Sequence, residues 1–220
     1  MNGDRRRPET LFRVKICGVT SVEDAGIAAA SGADAVGVNF FAGSRRYVPP
    51  GAAARIVRAV RDGGATPVGV FVDERPEVVE AVCRDLGIGV VQLSGNEPAD
   101  DAARLPFRRI KAIRVATGFD AAAFGDYPCD AFLLDAGGAG EFGGTGRTLD
   151  WASVRRCGIR KAWLLAGGLT PENVQAAIRL ARPGGVDVAS GVEDRPGRKD
   201  AEKVRRFIKN AREGFDIERL

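Results

Sequence analysis

Apolar residues in this chain gather into short, dense runs, separated by longer stretches in which they return every third or fourth position. The dense runs over 13–19, 35–40, 67–72, 90–93, 109–115, 131–135, 161–166 and 185–189 predict eight strands. Val68-Gly69-Val70-Phe71-Val72 has no polar position at all. A run of that kind suits a strand covered on both faces, as in a parallel sheet flanked by helices, better than a strand with one wet face.

The stretches between the runs carry helix signals. Ser21 stands three residues before Asp24, a capping-box-like start for a helix that runs through Ala30 and ends at Gly32. Thr170-Pro171-Glu172 offers an N-cap, a proline at the first helical position and an acid in the first turn. The segments 52–61, 77–86 and 201–212 place apolar residues at three- and four-residue spacing. The fifth helix is the weakest, because 119–124 has room for only a turn or two. Eight strands alternating with helices, and no linker between them, predict an α/β fold: one (βα)₈ TIM barrel domain over 1–220, with 1–12 as a flexible tail.

Composition narrows the chemistry. The chain has 220 residues, 45% of them hydrophobic, enough for a large core. Its net charge of +4 is spread along the sequence, and no basic block interleaved with aromatics suggests nucleic acid. A small anionic substrate fits this charge better. Arg5-Arg6-Arg7 is followed by polar residues rather than an apolar stretch, and no apolar run is long enough to span a membrane. Cys17, Cys83, Cys129 and Cys157 follow no metal or disulfide spacing, which predicts reduced thiols in a cytoplasm. Histidine is absent. Catalysis must then rest on carboxylates, Cys, Lys, Tyr or backbone groups.

In a barrel of this type the site is built where strands end at the C-terminal face. The first strand ends in Lys15-Ile16-Cys17-Gly18 and the sixth in Leu133-Leu134-Asp135. A thiol and a carboxylate at one mouth suit proton transfer between carbon and oxygen. Taken singly, Cys17 reads more readily as a packed core thiol, and Asp135 equally as a loop cap. Ser44-Arg45-Arg46 after the second strand offers a guanidinium for a carboxylate, or a plain exposed basic loop. Gly167-Gly168 and Ser190-Gly191 follow strands seven and eight, where backbone N–H groups can receive phosphate. The long glycine-rich loop 136–148 can close over a ligand.

In order along the chain, the matching stretches are Lys15-Ile16-Cys17-Gly18, Gly32-Ala33-Asp34-Ala35-Val36-Gly37, Ser44-Arg45-Arg46-Tyr47-Val48, Val68-Gly69-Val70-Phe71-Val72, Val91-Gln92-Leu93, Leu133-Leu134-Asp135, Gly143-Gly144-Thr145-Gly146, 165–174 and 187–193. As an ordered set they resemble the phosphoribosylanthranilate isomerases of tryptophan biosynthesis. The resemblance implies an Amadori rearrangement with no cofactor or metal. It implies Asp135 as general acid toward the ribose ring oxygen and Cys17 as the base that takes the C2′ proton. Arg46 would hold the anthranilate carboxylate, with Lys15, Gln92 and Asp187 as further substrate contacts and Asp187 beside the reacting amine. Gly144, Gly167, Gly168, Ser190 and Gly191 would bind phosphate. Such barrels occur as monomers and homodimers.

The sequence departs from the family pattern in three places. Gln92-Leu93-Ser94-Gly95-Asn96-Glu97 stands where the family usually has Gln-Leu-His-Gly-Asp-Glu, Arg45 replaces a proline, and Ala189 replaces a serine. Two other readings stay open here. One is a barrel isomerase shared with histidine biosynthesis, and the other is a phosphosugar-binding relative without turnover.

Overall fold

A computed structural model describes residues 10–115, 121–135, 151–156 and 158–217. Eight strands alternate with helices and pair in sequence order: β1 (Val14–Cys17), β2 (Ala35–Asn39), β3 (Thr66–Phe71), β4 (Val90–Leu93), β5 (Arg108–Arg114), β6 (Ala131–Asp135), β7 (Ala162–Ala166) and β8 (Gly185–Val188). Every neighbouring pair is parallel, and β8 returns to β1 with Lys15 opposite Asp187, so the barrel is closed. The expected strands are all present, with ends moved by no more than two residues.

The helices are α1 (Val22–Ala30), α2 (Pro50–Asp62), α3 (Pro76–Leu86), α4 (Ala99–Arg104), α5 (Trp151–Arg156), α6 (Val174–Ala181) and α7 (Ala201–Ile217). Ser21 caps α1 as anticipated, its hydroxyl accepting from the Asp24 N–H at 3.0 Å. Helix α2 buries Ala53, Ile56, Val57 and Val60, the three- and four-residue spacing that seats one face on the barrel. Helix α3 ends at Gly87, whose φ of 62° is the left-handed conformation that a helix stop uses.

Four details differ from the expectations. Thr170 does accept from the Glu172 N–H, at 3.2 Å, but the regular helix starts only at Val174. The reason is Asn173, whose Oδ1 accepts from the Thr170 N–H and whose Nδ2 donates to Gly168 O, holding the first residues in a turn. The expected fifth helix is a 3₁₀ turn over Ala121–Phe124, with 116–120 outside the described residues. Of the tail expected over 1–12, residues 1–9 lie outside the described residues, while Phe12 is buried and Leu11 rests on the inner barrel cluster. Finally, a small antiparallel hairpin follows β8, made of β9 (Glu193–Arg195) and β10 (Arg198–Lys199). Its turn is Pro196-Gly197, with Gly197 at φ 85°.

Strand alternation decides what reaches the mouth. Ala131 and Leu133 of β6, and Ala162, Leu164 and Ala166 of β7, join Phe12, Ala35, Val68, Val90 and Ile110 in the barrel interior. Because side chains alternate with period two, Asp135 faces inward two residues beyond Leu133, and Cys17 two beyond the buried Lys15. The apolar packing fills the lower barrel and leaves polar groups at the top.

Candidate active site

At the C-terminal mouth lies an open cavity of about 1020 Å³. Asp135, Arg46, Gln92, Asp187, Gly167, Gly168, Ser190 and Gly191 all line it. Two further candidates, Lys15 and Cys17, are not among the residues that line it. Lys15 is fully buried, and Cys17 is partly exposed at the end of β1. Gly144 and the loop 136–148 lie outside the described residues.

Lys15 donates to Asp187 Oδ1 at 2.7 Å across the β1–β8 seam. A lysine with no exposure at all is tolerable only when its charge is matched, and breaking such a pair costs about 3–5 kcal/mol. Burial works against the Lys15 ammonium, but Asp187 and Cys17 outweigh it and raise its pKa. Burial also pushes the Cys17 thiol up, and the Lys15 ammonium pulls it back only in part. Lys15 thus favours the thiolate and is outweighed by desolvation. Gly37 makes room for this arrangement, since a Cβ there would come within 2.8 Å of Cys17 Sγ.

Arg46 lines the cavity while Arg45 is exposed to solvent outside it, which separates the two arginines of the loop. The Arg46 side chain crosses Gly18, where any Cβ would collide with its Cδ. Its Nε and Nη2 both donate to Glu193, each at 2.7 Å. Glu193 in turn accepts from Lys199 Nζ at 3.0 Å. Neither Glu193 nor Lys199 was a candidate in the sequence. The turn dipeptide Pro196-Gly197 was the only local signal that a hairpin returns Lys199 to the mouth.

On the opposite rim, Lys111 is buried against the Glu97 carboxylate and donates to Gly95 O at 2.7 Å. Glu97 also accepts from the N–H groups of Gly95 and Asp73 at 2.8 and 3.1 Å. Burial raises the Glu97 pKa, but Lys111 and the N–H groups of Gly95 and Glu97 itself outweigh it and hold the carboxyl below its ordinary value. Tyr127 closes this cluster, its hydroxyl donating to Glu97 O. In the same wall Gln92 donates to Ser94 Oγ at 3.0 Å, so the serine substituted for the family histidine holds a neighbour in place. Gln92 Oε1 is buried with no hydrogen-bond partner in the described structure and belongs to a cavity-lining residue. A buried acceptor left unpaired is costly, and a ligand donor would satisfy it.

The phosphate-type loops are braced against each other. Gly167 and Gly168 have φ of 86° and 66°, conformations that favour glycine. A Cβ on Gly191 would fall inside the Leu169 carbonyl oxygen, so the loop after β8 lies directly on the loop after β7. Gly191→Ala is therefore expected to displace one loop from the other. The expected result is an inhibition constant for inorganic phosphate raised about tenfold or more, equivalent to roughly 1.4 kcal/mol. Unchanged inhibition would remove Gly191 from the anion site.

Among the described residues, no cluster of His, Cys, Asp and Glu is placed to hold a metal ion. None of the described helices is long and apolar enough to cross a membrane. Cys17, Cys83 and Cys129 are free thiols, and burial lifts that of Cys83 to about 12.

Known proteins of similar sequence and structure identify the family. Residues 14–210 match the family model for N-(5′-phosphoribosyl)anthranilate isomerase. An N-(5′-phosphoribosyl)anthranilate isomerase of Trichlorobacter lovleyi is 46% identical over 206 residues, covering 93% of this chain and 100% of that protein. The crystal structure of phosphoribosyl anthranilate isomerase from Thermotoga maritima superposes with a TM-score of 0.82 at 40% identity, covering 92% of this chain and 100% of that one. A structure of such an isomerase in complex with reduced 1-(o-carboxyphenylamino)-1-deoxyribulose 5-phosphate matches with a TM-score of 0.78 at 37% identity, over 92% of this chain and 100% of that chain.

Proposed function

This chain belongs to the N-(5′-phosphoribosyl)anthranilate isomerase family, and from that premise we propose that Asp135 and Cys17 are its acid and base. The enzyme catalyses the Amadori rearrangement of N-(5′-phosphoribosyl)anthranilate to 1-(2-carboxyphenylamino)-1-deoxyribulose 5-phosphate in tryptophan biosynthesis. The observation that carries the assignment is strand alternation, which turns the last side chains of β1 and β6 inward at one mouth.

In the proposed sequence, Asp135 gives a proton to the ribose ring oxygen as the C1′–O bond breaks, leaving an open-chain iminium. Cys17 as thiolate then takes the C2′ proton, and the C2′–H electron pair moves to quench the iminium. The resulting enolamine is protonated at C1′ while its C2′ hydroxyl becomes the ketone. No atom is gained or lost overall. Burial keeps the thiol weakly acidic, so the thiolate, once formed, is a strong base. The iminium charge and the Lys15 ammonium both favour that thiolate.

The remaining residues bind. Arg46 takes the anthranilate carboxylate, and Gly167, Gly168, Ser190 and Gly191 receive the phosphate by backbone groups, with Gly144 as a further candidate. Gln92 offers its unpaired Oε1 to a hydroxyl or amine hydrogen of the substrate. Asp187, already held by Lys15, lies toward the reacting amine. The reaction as proposed takes place in the cytoplasm and needs no cofactor.

Arg46→Ala is expected to raise KM about tenfold or more with a smaller change in kcat, read by steady-state kinetics. An unchanged KM would take the carboxylate contact away from Arg46. The assignment as a whole is tested by rescue of a tryptophan auxotroph that lacks this isomerase. Growth on minimal medium is expected, and failure with folded protein present would contradict it.

A further inference from the structure

Arg46 does not project alone into the mouth. Glu193 takes its Nε–H and one N–H of Nη2, both at 2.7 Å. A guanidinium has five N–H donors. Subtracting those two leaves three, and two of these, one on Nη1 and one on Nη2, form the end-on edge that receives a carboxylate with two parallel bonds. The Glu193 contact therefore fixes the plane of the arginine and leaves its end open. Among the described residues, Nη1 has no protein acceptor.

The brace continues inward. The Lys199 side chain is fully buried and donates at 3.0 Å both to Glu193 and to the carbonyl oxygen of Ala189. Ala189 immediately precedes the 3₁₀ turn Ser190–Val192 that carries the phosphate-loop residues Ser190 and Gly191. The Gly197 N–H, in the hairpin turn, points to the same Glu193 oxygen at 3.4 Å. Two cations and one carboxylate leave the group with a single net positive charge, suited to an anionic ligand group. The sites for the two ends of the substrate are thus joined by one buried ion group.

We propose that Glu193 and Lys199 are positioning residues, which set the Arg46 guanidinium for the substrate carboxylate and tie it to the phosphate loop through Ala189. The proposal rests on the reading of Arg46 as the carboxylate contact. Glu193 acts through Arg46, and Lys199 through both Glu193 and the loop backbone. A one-atom change at Glu193 should then be felt at one end of the ligand only, while loss of Lys199 should be felt at both.

The test is calorimetric titration of the full-length protein with two ligands. One is reduced 1-(o-carboxyphenylamino)-1-deoxyribulose 5-phosphate, and the other is its phenylamino counterpart without the carboxylate. Inorganic phosphate serves as a third probe. Glu193→Gln is expected to weaken the carboxylate ligand about tenfold and the counterpart by less than about twofold. Lys199→Met is expected to weaken the carboxylate ligand and phosphate together. Equal losses on both organic ligands in Glu193→Gln, or no loss, would overturn the positioning role. Unchanged phosphate binding in Lys199→Met would overturn the link to the loop. Arg46→Ala separates the two levels. If it shows a carboxylate-dependent loss that Glu193→Gln lacks, only the brace is wrong. If it shows none, the reading of Arg46 falls and the brace with it. Should Glu193→Gln fail to fold, Glu193→Asp makes the same test by shortening the brace.

Discussion

Replacing Asp135 by Asn should lower kcat by about 10²–10⁴ while leaving the barrel folded and able to bind the reduced product analogue. Asparagine keeps the shape of the side chain and removes the proton that the ring oxygen needs. Asp135 ends β6 with its side chain turned inward and partly exposed, so the substitution leaves no cavity in the core. Its backbone carbonyl accepts from the Val115 N–H at 2.9 Å, a bond that the variant keeps. Turnover is followed by the loss of anthranilate-type fluorescence. Wild-type kcat in Asp135→Asn would show that ring opening uses another acid.

Cys17→Ser should cause a loss of similar size, because a serine hydroxyl is far too weak an acid to supply an oxyanion base at neutral pH. The pH profile adds a second signature. The thiol is raised above its ordinary value of 9.0, chiefly by burial, and the base must be deprotonated to act. The thiolate fraction of the free enzyme therefore grows with pH, and kcat/KM should still climb between about pH 7 and 9. Lys15 stays cationic over that interval, since Asp187 and Cys17 raise its pKa against the effect of burial. Cys17→Ser should lose this rising limb together with the rate. A variant that keeps the limb would assign the titration to a different group.

Much of the fold was legible because parallel strands covered on both faces read as continuous apolar runs. Val90–Leu93 and Ala131–Asp135 match their runs residue for residue. The candidate site was legible where a residue ends a strand, as Cys17 and Asp135 do, because barrel geometry alone brings strand ends together. Lys15 and Asp187 are 172 residues apart, yet closure of β8 on β1 makes them register partners.

Other features depend on tertiary contacts that no local pattern carries. Glu193 meets Arg46 across 147 residues of sequence, outside the barrel ladder. The start of α6 was misplaced because Thr170 and Pro171 are good local helix starters, while Asn173 ties the Thr170 and Gly168 backbone into a turn. Lys15 beside Cys17 favours the thiolate, but desolvation, invisible in the sequence, outweighs it and leaves the thiol raised. Ser94 first stood out as a lost histidine, and its contact with Gln92 shows what the hydroxyl does instead.

The most direct test of the acid–base assignment is a single-turnover measurement with enzyme in excess over substrate, comparing wild type, Asp135→Asn and Cys17→Ser at saturating enzyme. Binding of the reduced product analogue is measured on the same preparations. Both variants should bind the analogue within a few-fold of wild type and convert substrate at least about a hundredfold more slowly. Wild-type conversion by either variant, or a loss of rate that merely follows a loss of binding, would contradict the roles given to Cys17 and Asp135.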